Sequence, residues 1–470
     1  MNLTIAEIAN AIKGEIINNN ITIKNIAIDS RKVLPGSLFF ALKGENADGH
    51  DFIAKAIENG ALCVVAEAEK NSVKRFDLQH KNTVIIAVKD TVQALLDTAK
   101  YYKSTFTDKN LKTTVAVTGS VGKTTTKEFI YSVLGEKFKT QKSEGNFNTE
   151  TGLPFTVFSL EENTEALVLE MGMSGFGEIS RLSKTADPDT AVITNIGTSH
   201  IEKLGSREGI KKAKLEILEG MGGDSNIILN ADEPLLYSEK NKTGKREYFF
   251  GIKNKEADFI AENIEFDFEK NISEFNIKTG NGFRFKIPVA GIHNVYDALP
   301  ALITGKIYGF SDEQIQAGFD NFQNAKMRQN IYDFNGITII DDCYNASLES
   351  VLAAFDVLSG IAAKTNGRKI AVLSDILEAG DYSEEIHGKI GEAIVEKNIS
   401  AYLFGEKSKI TFDAIFRKSG GQYDAFYTPD KTEIVHVMGG DVAKGDVILF
   451  KASRGMAMET VIDDFKNYFK

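Results

Sequence analysis

The stretch VAVTGSVGKTTTK carries residue types that bind phosphate. Gly119 and Gly122 allow a tight turn after an apolar strand, and a helix is expected to begin near Lys123. N–H groups at a helix N-terminus bind anions, a lysine there reaches terminal phosphates, and the hydroxyl of Thr124 can bind Mg²⁺. The usual loop reads G-x-x-x-x-G-K-[ST], but Val117 stands where its first glycine belongs. The alternative is a structural turn whose lysine has no function.

Two polar residues that follow buried strands are candidates for a metal site beside this loop. Glu170 ends the apolar run ALVLE, and His200 follows the run AVITNI. Ligands of an open α/β sheet bind at the carboxyl ends of its strands, and Mg²⁺ takes hard oxygen ligands together with substrate phosphates. A carboxylate suits that ion, whereas an imidazole is an unusual ligand for it. A solvated glutamate and a packed histidine are the alternatives.

Lys214 lies on the apolar face of a predicted helix, SREGIKKAKLEILEGM, which Ser206 would cap. Steps of about 100° per residue place it within the apolar stripe of that helix. The stripe consists of Ile210, Ala213, Ile217, Leu218 and Met221. The ammonium can extend outward to solvent. If it stays desolvated, its pKa falls, and the neutral amine can take up CO₂ to form a carbamate, which is a carboxylate-like metal ligand.

Alternating strands and helices are expected to position these groups. Runs such as TTVAVTG, EALVLEMG and DTAVITNIG are typical of parallel strands buried on both faces. The runs ITIIDD, KIAVLSD, AYLFG and DVILFKA, each followed by a helical pattern, indicate a second α/β unit. We predict an α/β fold with three domains. They are a small mixed α/β N-terminal domain (1–90), a central P-loop-type mononucleotide-binding domain with a parallel sheet (91–324) and a C-terminal Rossmann-like α/β domain (325–470).

Length, charge and cysteine content narrow the class of protein. A chain of 470 residues exceeds what one hydrophobic core supports. The net charge of −11 argues against nucleic-acid binding, which needs a concentrated basic face. Cys63 and Cys343 lie too far apart in sequence to suggest a disulfide framework or a zinc cluster. Since no signal pattern or membrane-spanning apolar run occurs, we expect a cytoplasmic enzyme with no membrane insertion.

A series of motifs resembles those of the Mur ligase family in order and spacing. They are TGSVGKTTTK, EGNFNTETGLP, EMG, TNIGTSHIEKLGS, KAKLEIL, NADEP and GIHNVYDALPA. That family uses a shortened G-[ST]-x-G-K-[TS] loop, which accounts for Val117. The resemblance covers essentially the whole chain. The stretches IDSRKVLPGSLFFALKG, IIDDCYNASLESV, LSDILEAGDYSEEIHGKIGEAI and ILFKASRGMAMETVI favour the branch that adds D-alanyl-D-alanine to UDP-N-acetylmuramoyl-tripeptide.

The resemblance implies a site for ATP and for two Mg²⁺ ions. The residues expected to hold the ATP phosphates are Thr118, Gly119, Ser120, Val121, Gly122, Lys123 and Thr124. Asn294 would contact the adenine, while Arg328 and Asp342 would reach the nucleotide from the third domain. The expected metal ligands are Thr124, Glu170, His200 and Lys214, the last as a CO₂-derived carbamate. The residues expected to be catalytic are Lys123, Lys214 and His200.

The resemblance also implies sites for the two substrates that are joined. The residues expected to hold the UDP-muramoyl-tripeptide are Ser30, Arg31, Asn148 and Thr149. We expect Lys451 and Arg454 to help hold the carboxylate of the dipeptide, with plain surface cations as the alternative. The chain departs from the usual family pattern at Ser374, Ile376–Leu377 and Ala452, all near the expected acceptor side.

The implied activity is an ADP-forming ligation of a carboxylate to an amine through an acyl phosphate. Its product would be the pentapeptide precursor of peptidoglycan, which links the enzyme to cell-wall biogenesis, cell shape and cell division. We expect a monomer whose third domain closes over ATP. The alternatives are a sister ligase that adds a single amino acid, a P-loop ATPase or kinase without ligation, and a non-catalytic nucleotide-sugar binding protein. Whether the third residue of the tripeptide is meso-diaminopimelate or lysine stays open.

Overall fold

The sheets of the computed structural model are each built from one continuous region of the chain. The structure describes residues 3–14, 20–44, 47–68, 83–107, 109–365 and 367–469. Within that part of the chain, a small antiparallel pair and a parallel sheet come first in the sequence. A long mixed sheet and a second, mostly parallel sheet follow. This architecture confirms the predicted α/β fold.

The N-terminal region contains the small antiparallel pair β1–β2 and a parallel sheet with strand order β3-β4-β5-β6. The strand β4 is buried along its whole length, as expected for a strand covered on both faces. The elements are β1 (Leu3–Thr4), α1 (Ile5–Ala11), β2 (Thr22–Ile23), β3 (Asn25–Ala27), β4 (Ser37–Phe40), α2 (Ile53–Glu58), β5 (Ala61–Glu67) and β6 (Val84–Val88).

The central region is one sheet with strand order β15-β14-β13-β12-β11-β10-β7-β9-β8. Its strands are β7 (Thr113–Thr118), β8 (Thr140–Lys142), β9 (Ala166–Glu170), β10 (Thr190–Ile193), β11 (Asn226–Asn230), β12 (Arg246–Gly251), β13 (Phe259–Asp267), β14 (Ile272–Ile277) and β15 (Arg284–Ile287). The strands β7, β9 and β10 are fully buried neighbours that run parallel. Their carboxyl ends therefore meet at one edge. Unlike the predicted all-parallel sheet, this one ends in two antiparallel pairings, β13–β14 and β14–β15.

Helices on both faces of the central sheet complete this region. They are α3 (Thr91–Thr107), α4 (Lys123–Gly135), α5 (Leu153–Phe158), α6 (Glu178–Ala186), α7 (Ile201–Leu204), α8 (Arg207–Leu215), α9 (Pro234–Tyr237), α10 (Ile292–Ile307) and α11 (Asp312–Asp320). Ser206 caps α8 as predicted. The helix is shorter than predicted, because it becomes a 3-10 turn at Glu216–Gly220, where the carbonyl of Ile217 accepts a hydrogen bond from Ser183.

The C-terminal region is a sheet with strand order β16-β17-β21-β18-β19-β20, parallel except for β16. The elements are β16 (Asn330–Phe334), β17 (Ile337–Asp341), α12 (Leu348–Thr365), β18 (Lys369–Ser374), α13 (Ser383–Glu396), β19 (Ser400–Phe404), α14 (Ser408–Ser419), β20 (Ala425–Thr428), α15 (Lys431–Gly439), β21 (Val447–Lys451) and α16 (Met458–Tyr468). The four strands predicted from sequence are present here, whereas β16 and β20 were not predicted.

No helix among the described residues combines the length and the apolar character needed to cross a lipid bilayer.

Candidate active site

The glycine-containing loop joins β7 to α4 in the predicted order of strand, turn and helix. Gly119 and Gly122 have φ angles of 152° and 80°, which residues other than glycine rarely adopt. A Cβ at Gly119 would lie 1.9 Å from Thr194 Oγ1, and a Cβ at Gly122 would lie 2.1 Å from Asp297 Oδ1. Both positions therefore require glycine, because the loop packs tightly against the end of β10 and against α10.

The end of β10 fixes the loop through hydrogen bonds that the sequence motifs did not predict. The backbone N–H of Val121 donates to Asn195 Oδ1 at 3.0 Å, and Thr194 Oγ1 donates to the carbonyl of Val121 at 2.6 Å. The N–H of Gly197 donates to Ser120 Oγ at 2.9 Å. The signal in the sequence was the polar pair Thr194–Asn195 within the apolar run AVITNI, directly after the last residue of β10. These bonds connect the phosphate loop to the segment that follows β10.

The side chain of Lys123 folds back over the loop. Its Nζ donates to the carbonyl oxygens of Gly119 at 2.8 Å and Ser120 at 3.2 Å. Desolvation lowers the pKa of Lys123, and the negative charge of Glu170 opposes that shift. An anionic phosphate in front of the loop would give this ammonium a stronger partner than the two neutral carbonyls.

Glu170 lies at the carboxyl end of β9 and faces the start of α4. It is buried, and Thr124 Oγ1 donates to its Oε2 at 2.9 Å. Asn148 Nδ2 donates to Glu170 Oε1 at 2.8 Å, so this predicted substrate residue contacts a metal candidate instead of open space. Lys127, which was not predicted, is buried with its Nζ 4.0 Å from Glu170 Oε2 and 2.7 Å from the carbonyl of Ser143. The carboxylate is thus held in one orientation beside the loop.

His200 lies just beyond β10 and has a φ of 62°, an uncommon backbone conformation for a residue other than glycine. Its Nδ1 lies 2.8 Å from Oε2 of Glu378, which follows β18 in the C-terminal sheet. Hydrogen bonding to His200 is the main reason why the pKa of Glu378 is lowered. The pairing with Glu378 was not predicted.

Lys214 is buried on α8, as the apolar stripe predicted, and is not extended to solvent. Among the described residues, no hydrogen bond or ion pair engages its ammonium. Desolvation lowers its pKa well below the usual value, and the nearby charge of Lys123 adds to the shift. A neutral amine in this environment is the form that can add CO₂.

The donor set fits a hard cation such as Mg²⁺. The residues described contain no group of three or more His, Cys, Asp or Glu side chains placed to hold a metal by themselves. Mg²⁺ needs only one or two protein carboxylates when phosphates supply further oxygens. The hydroxyl of Thr124 and the carboxylate of Glu170 are adjacent oxygens at the N-terminus of α4. A carbamate on Lys214 would supply a further anionic oxygen ligand.

A cavity between the central and C-terminal sheets brings the predicted nucleotide residues together. Its lining includes residues 120–125 of the loop, Asn294, Arg328 and Asp342. Asn294 Nδ2 donates to Gln329 Oε1 at 3.0 Å, which ties α10 to the segment that enters the C-terminal sheet. The guanidinium of Arg328 lies 4.3 Å from the centre of the Tyr344 ring. Among the described residues it has no carboxylate partner, which leaves it free for an anion.

Asp297 also lines this cavity, although no motif pointed to it. Its side chain is buried on α10, and its closest polar partner is Thr126, whose Oγ1 lies 3.4 Å from Oδ1. Desolvation raises the pKa of Asp297 to about 8, with Arg328 acting in the opposite direction. Burial therefore favours the protonated form of this carboxyl group beside the loop.

The side chain of Lys451 is only 1% exposed, which excludes the alternative prediction that Lys451 is a surface cation. Its Nζ lies 2.6 Å from Asp342 Oδ2 and 3.1 Å from the carbonyl of Asn345. The ammonium therefore orients Asp342 within the cavity and is not directed at open space. Arg454 is half exposed and pairs with Glu459 at 2.8 Å.

The remaining substrate candidates do not line the nucleotide cavity. Ser30 is buried, and Arg31 is exposed with its guanidinium 2.8 Å from Asp29 within the same turn. Thr149 is exposed, and its Oγ1 accepts a hydrogen bond from the N–H of Gly152. Thr149 is the neighbour of Asn148, which contacts Glu170 beside the phosphate loop.

Three families of domains match successive regions of the chain. Residues 22–103 match the Mur ligase family, catalytic domain, residues 117–305 match the Mur ligase middle domain, and residues 327–454 match the Mur ligase, glutamate ligase domain. The glutamate ligase domain contains Arg328, Asp342 and Lys451, and the middle domain contains the phosphate loop.

Similar proteins cover the same length. The UDP-N-acetylmuramoyl-tripeptide–D-alanyl-D-alanine ligase of Bacillus subtilis is 38% identical, with 98% of each chain covered. The crystal structure of MurF from Acinetobacter baumannii has a TM-score of 0.88 at 29% identity, with 99% of each chain covered. MurF ligase from Thermotoga maritima, solved in complex with ADP, has a TM-score of 0.81 at 28% identity and covers 95% of this chain and 97% of its own. The chain belongs to the Mur ligase family.

Proposed function

We propose that this enzyme joins D-alanyl-D-alanine to UDP-N-acetylmuramoyl-tripeptide, with ATP converted to ADP and phosphate. The observation that carries the proposal is the convergence, in one cavity, of the phosphate loop with Arg328 and Asp342 from the C-terminal sheet. The curated relatives of this length carry the name of that ligase. The product is the pentapeptide precursor of peptidoglycan.

The first step activates the substrate carboxylate. An oxygen of the tripeptide carboxylate attacks the γ-phosphorus of ATP, the bond to the β,γ-bridging oxygen breaks, and an acyl phosphate and ADP form. All reacting groups are anionic, so positioning and electrostatic stabilisation dominate. Lys123 leaves the carbonyls of Gly119 and Ser120 to bind the γ-phosphate, and the loop N–H groups hold the phosphate oxygens.

Four residues would hold two Mg²⁺ ions at this site. They are Thr124, Glu170, His200 and carbamylated Lys214. Mg²⁺ would offset charge between the phosphates and the attacking carboxylate. Thr124 and Glu170 supply adjacent oxygens, and Asn148 fixes the orientation of that carboxylate. Burial of Lys214 favours the neutral amine that CO₂ requires.

The second step forms the amide. The amine of the dipeptide attacks the acyl carbon, loses a proton, and the tetrahedral intermediate expels inorganic phosphate. Because acyl phosphates hydrolyse, water must be excluded, and the C-terminal domain does this by closing over ATP. In that arrangement Arg328 neutralises phosphate charge, Asn294 contacts the adenine, and Lys451 holds Asp342 toward the nucleotide.

The three predicted domains divide the work. Residues 1–90, including Ser30 and Arg31, would hold the UDP-muramoyl peptide together with Thr149. Residues 91–324 would bind ATP, and residues 325–470 would bind the acceptor, with Arg454 near its carboxylate. We propose a cytoplasmic location, since the reaction needs ATP, and we propose that the enzyme is a monomer.

The test measures the mass of the nucleotide-sugar product after incubation with ATP and Mg²⁺. Supplied with D-alanyl-D-alanine, the UDP-muramoyl-tripeptide should gain the mass of the dipeptide less one water. A gain with a single amino acid would identify a sister ligase. ATP consumption without any mass gain would contradict the proposal and indicate an ATPase.

A further inference from the structure

The side chain of Glu378 connects the C-terminal domain to the candidate metal site of the central domain. Its Oε2 lies 2.8 Å from Nδ1 of His200. Its carboxylate also interacts with the positive charges of Lys203 and Lys123. Glu378 is therefore a carboxylate beside the positively charged residues Lys123 and Lys203, and its direct partner is His200.

Hydrogen bonds within the C-terminal domain hold the segment that carries this carboxylate. Glu378 lies in the turn Leu377–Tyr382, after the carboxyl end of β18, and the backbone of this turn is kinked at Glu378 and Gly380. Asp375 anchors the segment by accepting from the N–H and hydroxyl of Ser408 at 2.8 and 2.9 Å. The N–H of Leu377 donates to Ser453 Oγ at 3.1 Å. These bonds all lie within the C-terminal domain, so the position of Glu378 follows the position of that domain.

The buried side chain of His387 also holds this turn in place. Its Nε2 accepts from the N–H of Ile376 at 3.2 Å, and its Nδ1 donates to the carbonyl of Ser383 at 2.8 Å. Both ring nitrogens are thus used within the C-terminal domain. His387 supports the turn but does not reach the central domain.

The turn also docks on the central domain beside His200. Tyr382 Oη donates to the carbonyl of Gly205 at 3.1 Å, and Gly380 packs closely against Glu202. These contacts lie at the two ends of α7, the short helix that begins directly after His200. The imidazole is therefore held both through its backbone, at φ 62°, and through Nδ1.

We propose that Glu378 is a positioning residue that orients His200 through Nδ1 and so leaves Nε2 directed toward the metal and phosphate site. The inference rests on the proposed function, in which His200 is a metal ligand. Histidine ligands commonly donate their second ring N–H to a carboxylate, which fixes the tautomer and the ring orientation. Here the carboxylate comes from another domain, so the site is complete only when the C-terminal domain is docked.

The binding test uses the full chain with Mn²⁺ as the probe and a non-hydrolysable ATP analogue. Glu378→Ala should weaken nucleotide-dependent Mn²⁺ binding about 10-fold or more. Glu378→Gln should retain most of the affinity, because the amide oxygen can still accept from Nδ1. Glu384→Ala is the matched control, since Glu384 is exposed, lies on the neighbouring helix and belongs to neither site. It should bind Mn²⁺ like the wild type.

A double-mutant cycle separates positioning from an independent role. In a His200→Ala background, Glu378→Ala should cause no further loss of Mn²⁺ affinity. Wild-type affinity in Glu378→Ala, or an equal loss with and without His200, would overturn the inference.

Ring ¹⁵N NMR of the ligand-free chain tests the same contact without relying on the proposed function. The Nδ1 resonance of His200 should shift in Glu378→Ala and stay unchanged in Glu384→Ala. An unshifted resonance in Glu378→Ala would overturn the inference even if ligation were established. A shifted resonance in a protein whose wild type binds no nucleotide-dependent Mn²⁺ would instead contradict the proposed function.

Discussion

The hydroxyl of Thr124 lies 2.9 Å from Oε2 of Glu170, although 46 residues separate them in the chain. The contact exists because β7 and β9 are parallel neighbours, so the helix that follows one strand starts beside the end of the other. A phosphate-binding helix terminus and a hard carboxylate ligand are thereby placed together. The chemistry proposed for the enzyme depends on this juxtaposition.

Replacing Lys123 with alanine should remove activity without unfolding the protein. Among the described residues, the hydrogen bonds of the ammonium go to the neutral carbonyls of Gly119 and Ser120, whereas it would face the γ-phosphate in the reaction. We expect kcat/KM for ATP to fall by a factor on the order of 100 to 1,000. The melting temperature should stay close to that of the wild type. Lys137→Ala, an exposed lysine two residues beyond the end of α4, is the control and should keep full activity. An active Lys123→Ala enzyme would show that the loop lysine does not serve the γ-phosphate.

Lys214 should carry a carbamate when CO₂ is supplied. In ¹³C-bicarbonate, wild-type protein should show a protein-bound carbamate carbon resonance that Lys214→Met lacks. The signal should grow as pH rises through the lowered pKa of Lys214, because only the neutral amine reacts. Identical spectra for the two proteins would contradict the carbamate.

The buried amine of Lys214 should also make the stability of the folded protein increase with pH. Below its lowered pKa, Lys214 is protonated in both folded and unfolded protein, so the cost of burying the charge is fully present. As pH rises toward the ordinary lysine pKa of about 10.4, the unfolded chain binds more protons than the folded one. Wild-type stability should therefore rise with pH relative to Lys214→Met in samples free of CO₂ and metal. A pH-independent difference in melting temperature would contradict the neutral buried amine.

Asp297→Asn should stabilise the protein more at high pH than at low pH. The pKa of Asp297 is raised from 3.8 to about 8, so between these values the folded state holds a proton that the unfolded state has lost. Wild-type stability should therefore fall as pH rises through that window, while asparagine has nothing to ionise. Each pH unit is worth at most about 1.4 kcal/mol, or roughly 3–6 °C in the melting temperature of a domain of this size. Thermal melts of both proteins at pH 5 and pH 8 measure the difference. Equal differences at the two pH values would show that Asp297 ionises normally.

Breaking the pair between Lys451 and Asp342 should be costly, because Lys451 is buried. Lys451→Met leaves the Asp342 carboxylate without its cation and should destabilise the protein by about 3 kcal/mol or more. The double variant Lys451→Met/Asp342→Asn removes both charges and should recover much of that stability while still binding ATP poorly. Denaturant melts and nucleotide titrations separate the two effects. If the single variant kept normal stability and ATP affinity, the pair would have no role in orienting Asp342.

The sequence predicted the parts of the site that follow from local patterns. A strand, two glycines and Lys123 in succession predict a phosphate loop, and a lysine within an apolar stripe predicts the buried position of Lys214. Contacts between distant segments were not predictable in this way. We predicted Lys451 to be an acceptor ligand or a surface cation because Asp342, which follows a different strand of the sheet, is distant in sequence, so that the pairing is visible only in three dimensions. The sequence did not predict roles for Asp297 and Glu378 because neither lies in a local motif. The environment of Asp297 is created by packing against the loop, and that of Glu378 by docking of the C-terminal domain.

The central claim is that ATP activates the tripeptide carboxylate as an acyl phosphate. The most direct test uses UDP-muramoyl-tripeptide labelled with ¹⁸O in that carboxylate, together with ATP, Mg²⁺ and D-alanyl-D-alanine. Mass analysis of the inorganic phosphate released should show one ¹⁸O atom per molecule of amide formed, because the attacking carboxylate oxygen leaves with the phosphoryl group. Amide formation with unlabelled phosphate would contradict the account.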